Sequence, residues 1–137
     1  MIIKCVYKQK MDIKIVLHLS RIVLGIFYIL AGINHFWHPD FYLPLIPDYL
    51  PYLNVINYFS GSLEIIFGIL VLMPSTKHWG AVGIIFLLIA FLPSHFYFIN
   101  IGACISEGLC VPIWVAWIRL LLVHPLLILW AIQVLRK

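Results

Sequence analysis

Four long apolar runs, separated by short connections rich in proline or polar residues, organise the chain: residues 13–33, 54–73, 79–101 and 113–135. A helix needs about 20 mostly apolar residues to cross a hydrocarbon layer of about 30 Å, and each run reaches that length. The connections carry helix breakers: Pro39, Pro44, Pro47 and Pro51 in the first, Pro74, Ser75 and Thr76 in the second, Gly108 to Pro112 in the third. The pattern predicts an all-α membrane protein, a four-transmembrane-helix bundle. One transmembrane domain over residues 13–137 is expected, preceded by a cytoplasmic tail over residues 1–12. The apolar run from Ile13 to Ile33 exceeds the roughly 7–15 residues of a signal-peptide core, so it reads as a span rather than a cleaved leader. Met1 and Met11 are both possible starts.

Composition agrees with lipid as the solvent. Hydrophobic residues make up 64% of the 137 and charged residues 10%, against a charged share of about 25% in soluble domains. The net charge of +4 does not point to nucleic acid, because the basic residues cluster at helix ends. Lys4, Lys8, Lys10 and Lys14 precede the first span, Lys77 lies between the second and third, and Arg136 and Lys137 end the chain. The other two connections hold only Asp40, Asp48 and Glu107 as charges. By the positive-inside rule, both termini are cytoplasmic.

The first connection, residues 34–52, holds six aromatic residues and four prolines. It reads as an aromatic belt in the outer headgroup region, or as an interfacial segment lidding a cavity between the helices. The two readings are compatible.

Polar residues inside the spans form stripes. His18, Arg21, Gly25, Tyr28, Gly32 and His35 follow a 3, 4, 3, 4, 3 spacing, and Asn54, Asn57, Gly61, Glu64 and Gly68 a 3, 4, 3, 4 spacing. Each set therefore lies on one helix face. Gly80, Gly83, Ala90, Ser94 and Tyr97 share a face of the third span, with His95 beside it. Small residues permit close helix approach, and polar ones face the bundle interior. Counting from the predicted span ends puts Arg21 roughly 12 Å and Glu64 roughly 13 Å from the inner surface, with His124 level with them. Tyr28, Asn57, His95 and Arg119 form a second layer nearer the outside. An unpaired intramembrane charge costs about 2.5–3.5 kcal/mol even on the lenient insertion scale, so an Arg21–Glu64 ion pair is expected. It serves either as a static bridge fixing helix register or as the organiser of a pocket. Arg119 either snorkels to the outer surface or offers its fork of donors to an anionic or carbonyl-bearing ligand.

Other chemistry is weakly signalled. His35, His38 and His95 could contribute to a metal site, but Pro39 disrupts the helical geometry an H-x-x-H pair needs, and no metal is assigned. Cys104 and Cys110 share one outer connection and are a disulfide candidate. No nucleophile motif, phosphate loop or haem-attachment motif occurs, and no catalytic residue is assigned.

Taken in order, Arg21, Gly25, Ala31-Gly32, His35-Phe36, Ile46-Pro47, Leu50-Pro51, Ser60-Gly61, Glu64, Gly68, Met73-Pro74, Pro93, Trp117 to Leu120 and Trp130-Ala131 resemble the DoxX-like family of small four-helix integral membrane proteins. The resemblance covers residues 17–131. It implies a bacterial inner-membrane protein, an accessory or ligand-binding component of quinone- or thiol-linked redox metabolism, with quinone a possible ligand. Redox partner subunits or a homo-oligomer would be its partners. The wider group is also similar to lipid-binding proteins, so the alternative is a non-catalytic lipid-binding scaffold, assembly factor or small transporter. His95 stands where the family frequently has asparagine, and His124 where it frequently has glutamine. On either reading Arg21, Tyr28, His35, Asn57, Glu64, His95, Arg119 and His124 form the candidate ligand-binding or polar cluster.

Overall fold

A computed structural model of the chain describes residues 2–105 and 109–136; Met1, Glu107, Gly108 and Lys137, invoked above, lie outside the described residues. Seven helical segments follow one another: α1 (Ile2–Trp37), α2 (Pro39–Tyr42), α3 (Leu53–Leu72), α4 (Lys77–Ala90), α5 (Leu92–Asn100), α6 (Ile113–Ile118) and α7 (His124–Leu135). A 3-10 turn over Leu43–Leu45 follows α2, and a π turn over Arg119–Val123 joins α6 to α7. No strand occurs among the described residues, only an isolated antiparallel bridge between Cys104 and Cys110. Four helical stretches are long and apolar enough to cross a membrane: Met11–Trp37, Leu53–Leu72, Lys77–Asn100 and Ile113–Leu135.

The first of these is longer at both ends than the apolar pattern predicts. Helix α1 covers most of the expected tail, because no proline or glycine interrupts residues 2–20. At its other end it passes Asn34 and stops at Trp37, where the His38 amide closes the last turn on the Asn34 carbonyl at 2.9 Å. Pro39 then forbids continuation.

The spans form a ring in which α1 packs on α3, α3 on α4, α4 on α7, and α7 back on α1. Glycines set the contact between α1 and α3. A methyl on Gly32 would sit 2.5 Å from the Gly61 carbonyl oxygen, and one on Gly68 would sit 2.8 Å from that of Gly25. Backbones this close fix an antiparallel register in which Gly25 faces Gly68 and Gly32 faces Gly61.

The surface is inside-out relative to a soluble protein. Leu30 is 60% exposed, Phe59 62%, Phe86 66% and Leu121 67%, one from each span. Apolar belts of this size need lipid or another apolar partner. Inside, two apolar clusters stack along the bundle. Leu24, Tyr28, Val71, Ala81, Ile84, Leu88, Ala131 and Val134 fill the end where α1 begins and α7 finishes. Leu45, Phe98, Ile99, Ala103, Ala116 and Leu120 fill the other. Polar side chains occupy the layer between them.

Candidate functional site

Arg21 and Glu64 do not form the expected ion pair. The glycine register places Glu64 opposite the stretch around Tyr28 and Ile29, and Arg21 lies about two helical turns away, roughly 11 Å along the axis. Counting from Ile13 and Met73 treated the two ends as level, whereas α1 runs well past the end of α3. Arg21 is buried where α3 stops, and its Nη1 donates to the carbonyls of Val71 at 2.9 Å and Leu72 at 2.7 Å. The Thr76 hydroxyl donates to the Leu70 carbonyl at 3.0 Å, and the Met73 amide to that of Ile69 at 3.3 Å. All four carbonyls left open by the end of α3 are thus satisfied. Arg21 is a cap supplied by a neighbouring helix, at the negative end of the α3 dipole. Its other terminal nitrogen donates to His18 Nδ1 at 3.3 Å.

Glu64 instead faces His35, with Oε2 3.6 Å from Nε2. Asn57 fixes the chemistry of this pair. Its amide nitrogen donates to the His35 carbonyl at 3.0 Å, which turns its oxygen toward the imidazole Nδ1 at 2.7 Å. An amide oxygen only accepts, so Nδ1 carries a proton. On a neutral ring Nε2 is then a lone pair aimed at a carboxylate. At 3.6 Å the two acceptors face each other without a hydrogen bond, an arrangement with room for a proton on either group.

Tyr42 extends the cluster. Its ring stacks on His35 at 3.7 Å, and its hydroxyl accepts from the Asn34 amide at 2.9 Å. Arg119 lies within electrostatic reach of that hydroxyl and of both His95 and His124. The rings of His95 and His124 meet edge to face at 4.8 Å.

Helix irregularities bring these last three together. Pro93, lacking an amide proton, breaks the third span into α4 and α5 at Phe91. Pro125 does the same to the fourth, which widens into the π turn where the His124 amide reaches the Arg119 carbonyl. A five-residue turn brings Arg119 and His124, which an α-helix would point apart, toward the same side. Single π turns inside helices recur at functional sites.

Among the described residues, three buried side-chain polar atoms lack a hydrogen-bond partner: the Tyr28 hydroxyl, Glu64 Oε2 and His124 Nε2. Buried polar groups are nearly always paired, with water or ligand where protein does not serve. The structure thus draws Tyr28, His35, Asn57, Glu64, His95, Arg119 and His124 into one polar layer. It leaves Arg21 outside, at the end of α3. His38 is exposed beyond the end of α1, and His95 faces His124 rather than His35; no group of three metal-ligating side chains occurs among the described residues. Tyr42 was missed from sequence, where it is one of six aromatics in a connection. Pro125 was the overlooked sign of the π turn.

The sulfurs of Cys104 and Cys110 are joined, closing a hairpin in which the Ile105 amide bonds the Leu109 carbonyl at 3.1 Å and the Val111 amide bonds that of Ala103 at 3.0 Å.

Fold and site define a membrane-type helical bundle with a polar layer enclosed between two apolar clusters. The chain belongs to the DUF8561 family, a domain of unknown function whose profile matches residues 24–135. That stretch contains the whole polar layer and begins after Arg21. No curated protein and no solved structure matches the chain.

Proposed function

We propose that this chain is a DoxX-like integral protein of the bacterial inner membrane, both termini cytoplasmic, whose polar layer binds the head of a quinone. It would act as an accessory or ligand-binding component of quinone- or thiol-linked redox metabolism, alongside redox partner subunits or as a homo-oligomer. The carrying observation is the set of three buried side-chain polar atoms without a partner among the described residues, on Tyr28, Glu64 and His124. A quinone carbonyl accepts hydrogen bonds, and the unpartnered Tyr28 hydroxyl offers a donor. His35 and Glu64, two titratable side chains 3.6 Å apart, suit a ligand whose reduction takes up protons. The lysine and arginine bias supports the orientation, and the proline- and aromatic-rich connection between α1 and α3 would then face outward.

Native mass spectrometry of the gently solubilised protein, with extraction of its lipids, tests the reading. A quinone retained by the parent and lost from Tyr28→Phe is expected, since that substitution removes one unpartnered oxygen and little else. A parent carrying no quinone overturns it; ligand flux through the same protein in liposomes would then favour a small transporter.

A further inference from the structure

A cavity lies at the opposite end of the bundle from the α1–α3 connection, away from the polar layer. It has a volume of about 310 Å³, and its lining includes Lys14, His18, Ser20, Arg21, Lys77 and Gln133. Among the described residues, three permanent cations line it and no carboxylate does. The helices explain the convergence. Lys14, His18 and Arg21 are spaced four and three along α1 and share a face. Lys77 opens α4, where the helix dipole adds positive potential. Gln133 comes from the last turn of α7, and the Trp130 indole donates to Ser20 at 2.7 Å, pinning α7 to α1 beside the cavity.

Arg21 is held in place by the α3 carbonyls, so its cationic head is pre-organised rather than recruited. Toward the bundle centre, the faces that flank the cavity turn apolar and stay uncovered. Leu129 and Leu126, four and seven residues before Gln133 on α7, are exposed, as are Val23 and Phe27, three and seven residues after Ser20 on α1.

We propose that this cavity binds the phosphodiester headgroup of an anionic phospholipid, with its acyl chains laid along the apolar faces of α1 and α7. Lys14, Lys77 and the free donors of Arg21 neutralise the phosphate, while Gln133 and His18 offer hydrogen bonds to the headgroup. The apolar faces select a diacyl lipid over a soluble phosphate. Basic cavities between spans recur as headgroup sites at the cytoplasmic side of membranes.

Native mass spectrometry of the full chain in neutral detergent tests this by titration with phosphatidylglycerol, phosphatidylcholine and inorganic phosphate. Phosphatidylglycerol should bind preferentially. A Lys14→Gln, Lys77→Gln double variant should weaken that binding about 25-fold, about fivefold for each lysine removed. Among the described residues neither lysine makes a side-chain hydrogen bond, and Gln133→Glu, which only adds a negative charge, should weaken binding in the same direction. Equal binding of the two lipids overturns the proposal. So does phosphatidylglycerol preference that survives both variants, and so does displacement of the lipid by millimolar inorganic phosphate, which would mark a site for a soluble anion.

Discussion

His35 and Asn57 hold each other twice, the amide nitrogen of Asn57 on the His35 carbonyl at 3.0 Å and its oxygen against the imidazole Nδ1 at 2.7 Å. This pairing joins α1 to α3 one turn from the Gly32–Gly61 contact and sets which imidazole nitrogen faces Glu64. Asn57→Ala should therefore leave both a buried imidazole N–H and a backbone carbonyl unmet. A loss of about 1–3 kcal/mol is expected, read as a lowered unfolding midpoint in mixed micelles. A midpoint equal to the parent's would mean that water replaces the amide and that the pairing does not orient the ring.

The capping role of Arg21 makes a prediction opposite to that of an Arg21–Glu64 ion pair. Groups with no shared partner add within about 0.3–0.5 kcal/mol, whereas direct partners couple by about 0.5–3 kcal/mol. Arg21→Met should destabilise by exposing the end of α3, and adding Glu64→Gln should not restore any of that loss. His35→Leu combined with Glu64→Gln should couple. Double-mutant cycles on purified protein decide it, and recovery in the Arg21→Met, Glu64→Gln double would reinstate the ion pair.

Gly61 tests the register itself. A methyl there would lie 2.6 Å from His35 Cβ and 2.9 Å from the Gly32 carbonyl oxygen, with little freedom for either to move. Gly61→Ala should cost about 1–3 kcal/mol through overpacking and should displace the His35 ring from Glu64. Gly102 is the contrast: a methyl would meet nothing within 4 Å, and only its left-handed backbone, at φ 80°, resists substitution. Unchanged stability of Gly61→Ala would show that α1 and α3 are not in the close contact described.

What was legible in the sequence is whatever depends on one helix at a time. Spans follow from apolar length, and the inward faces of α1 and α3 follow from the three-and-four spacing of Tyr28, His35, Asn57, Gly61 and Glu64. Depth is a relation between helices, and there the count failed. The apolar run of α1 begins at Ile13, but its register against α3 is fixed by glycine contacts, so Arg21 lies at the end of α3 rather than beside Glu64. Sequence spacing groups Arg119 with His95 but puts His124 at the inner level, so the approach of His124 to that pair was equally hidden. A regular helix would separate Arg119 from His124, and only the widened turn before Pro125 brings them together. Tyr42 reaches His35 through a connection folded back on the bundle end, which no periodicity encodes.

The last prediction concerns Cys104 and Cys110. Gly102 and Ala103, both with positive φ, turn the chain after α5, and the hairpin that follows brings the two cysteines opposite each other across a bridge. The connection lies at the end of the bundle away from Lys14, Lys77 and Arg136. On the proposed topology it therefore meets an oxidising compartment, where a pair so placed persists. Protein purified without reductant should resist alkylation at these two positions and accept two labels after reduction, read by intact mass. Closing so short a loop is worth about 2–3 kcal/mol on the chain-entropy account, so reduction should also lower the unfolding midpoint. The cost should appear as easier opening around Ala103 and Val111 in hydrogen exchange, leaving the His35–Asn57 layer protected. Free alkylation of both thiols before reduction would overturn the bond and would count against the outward placement of this connection.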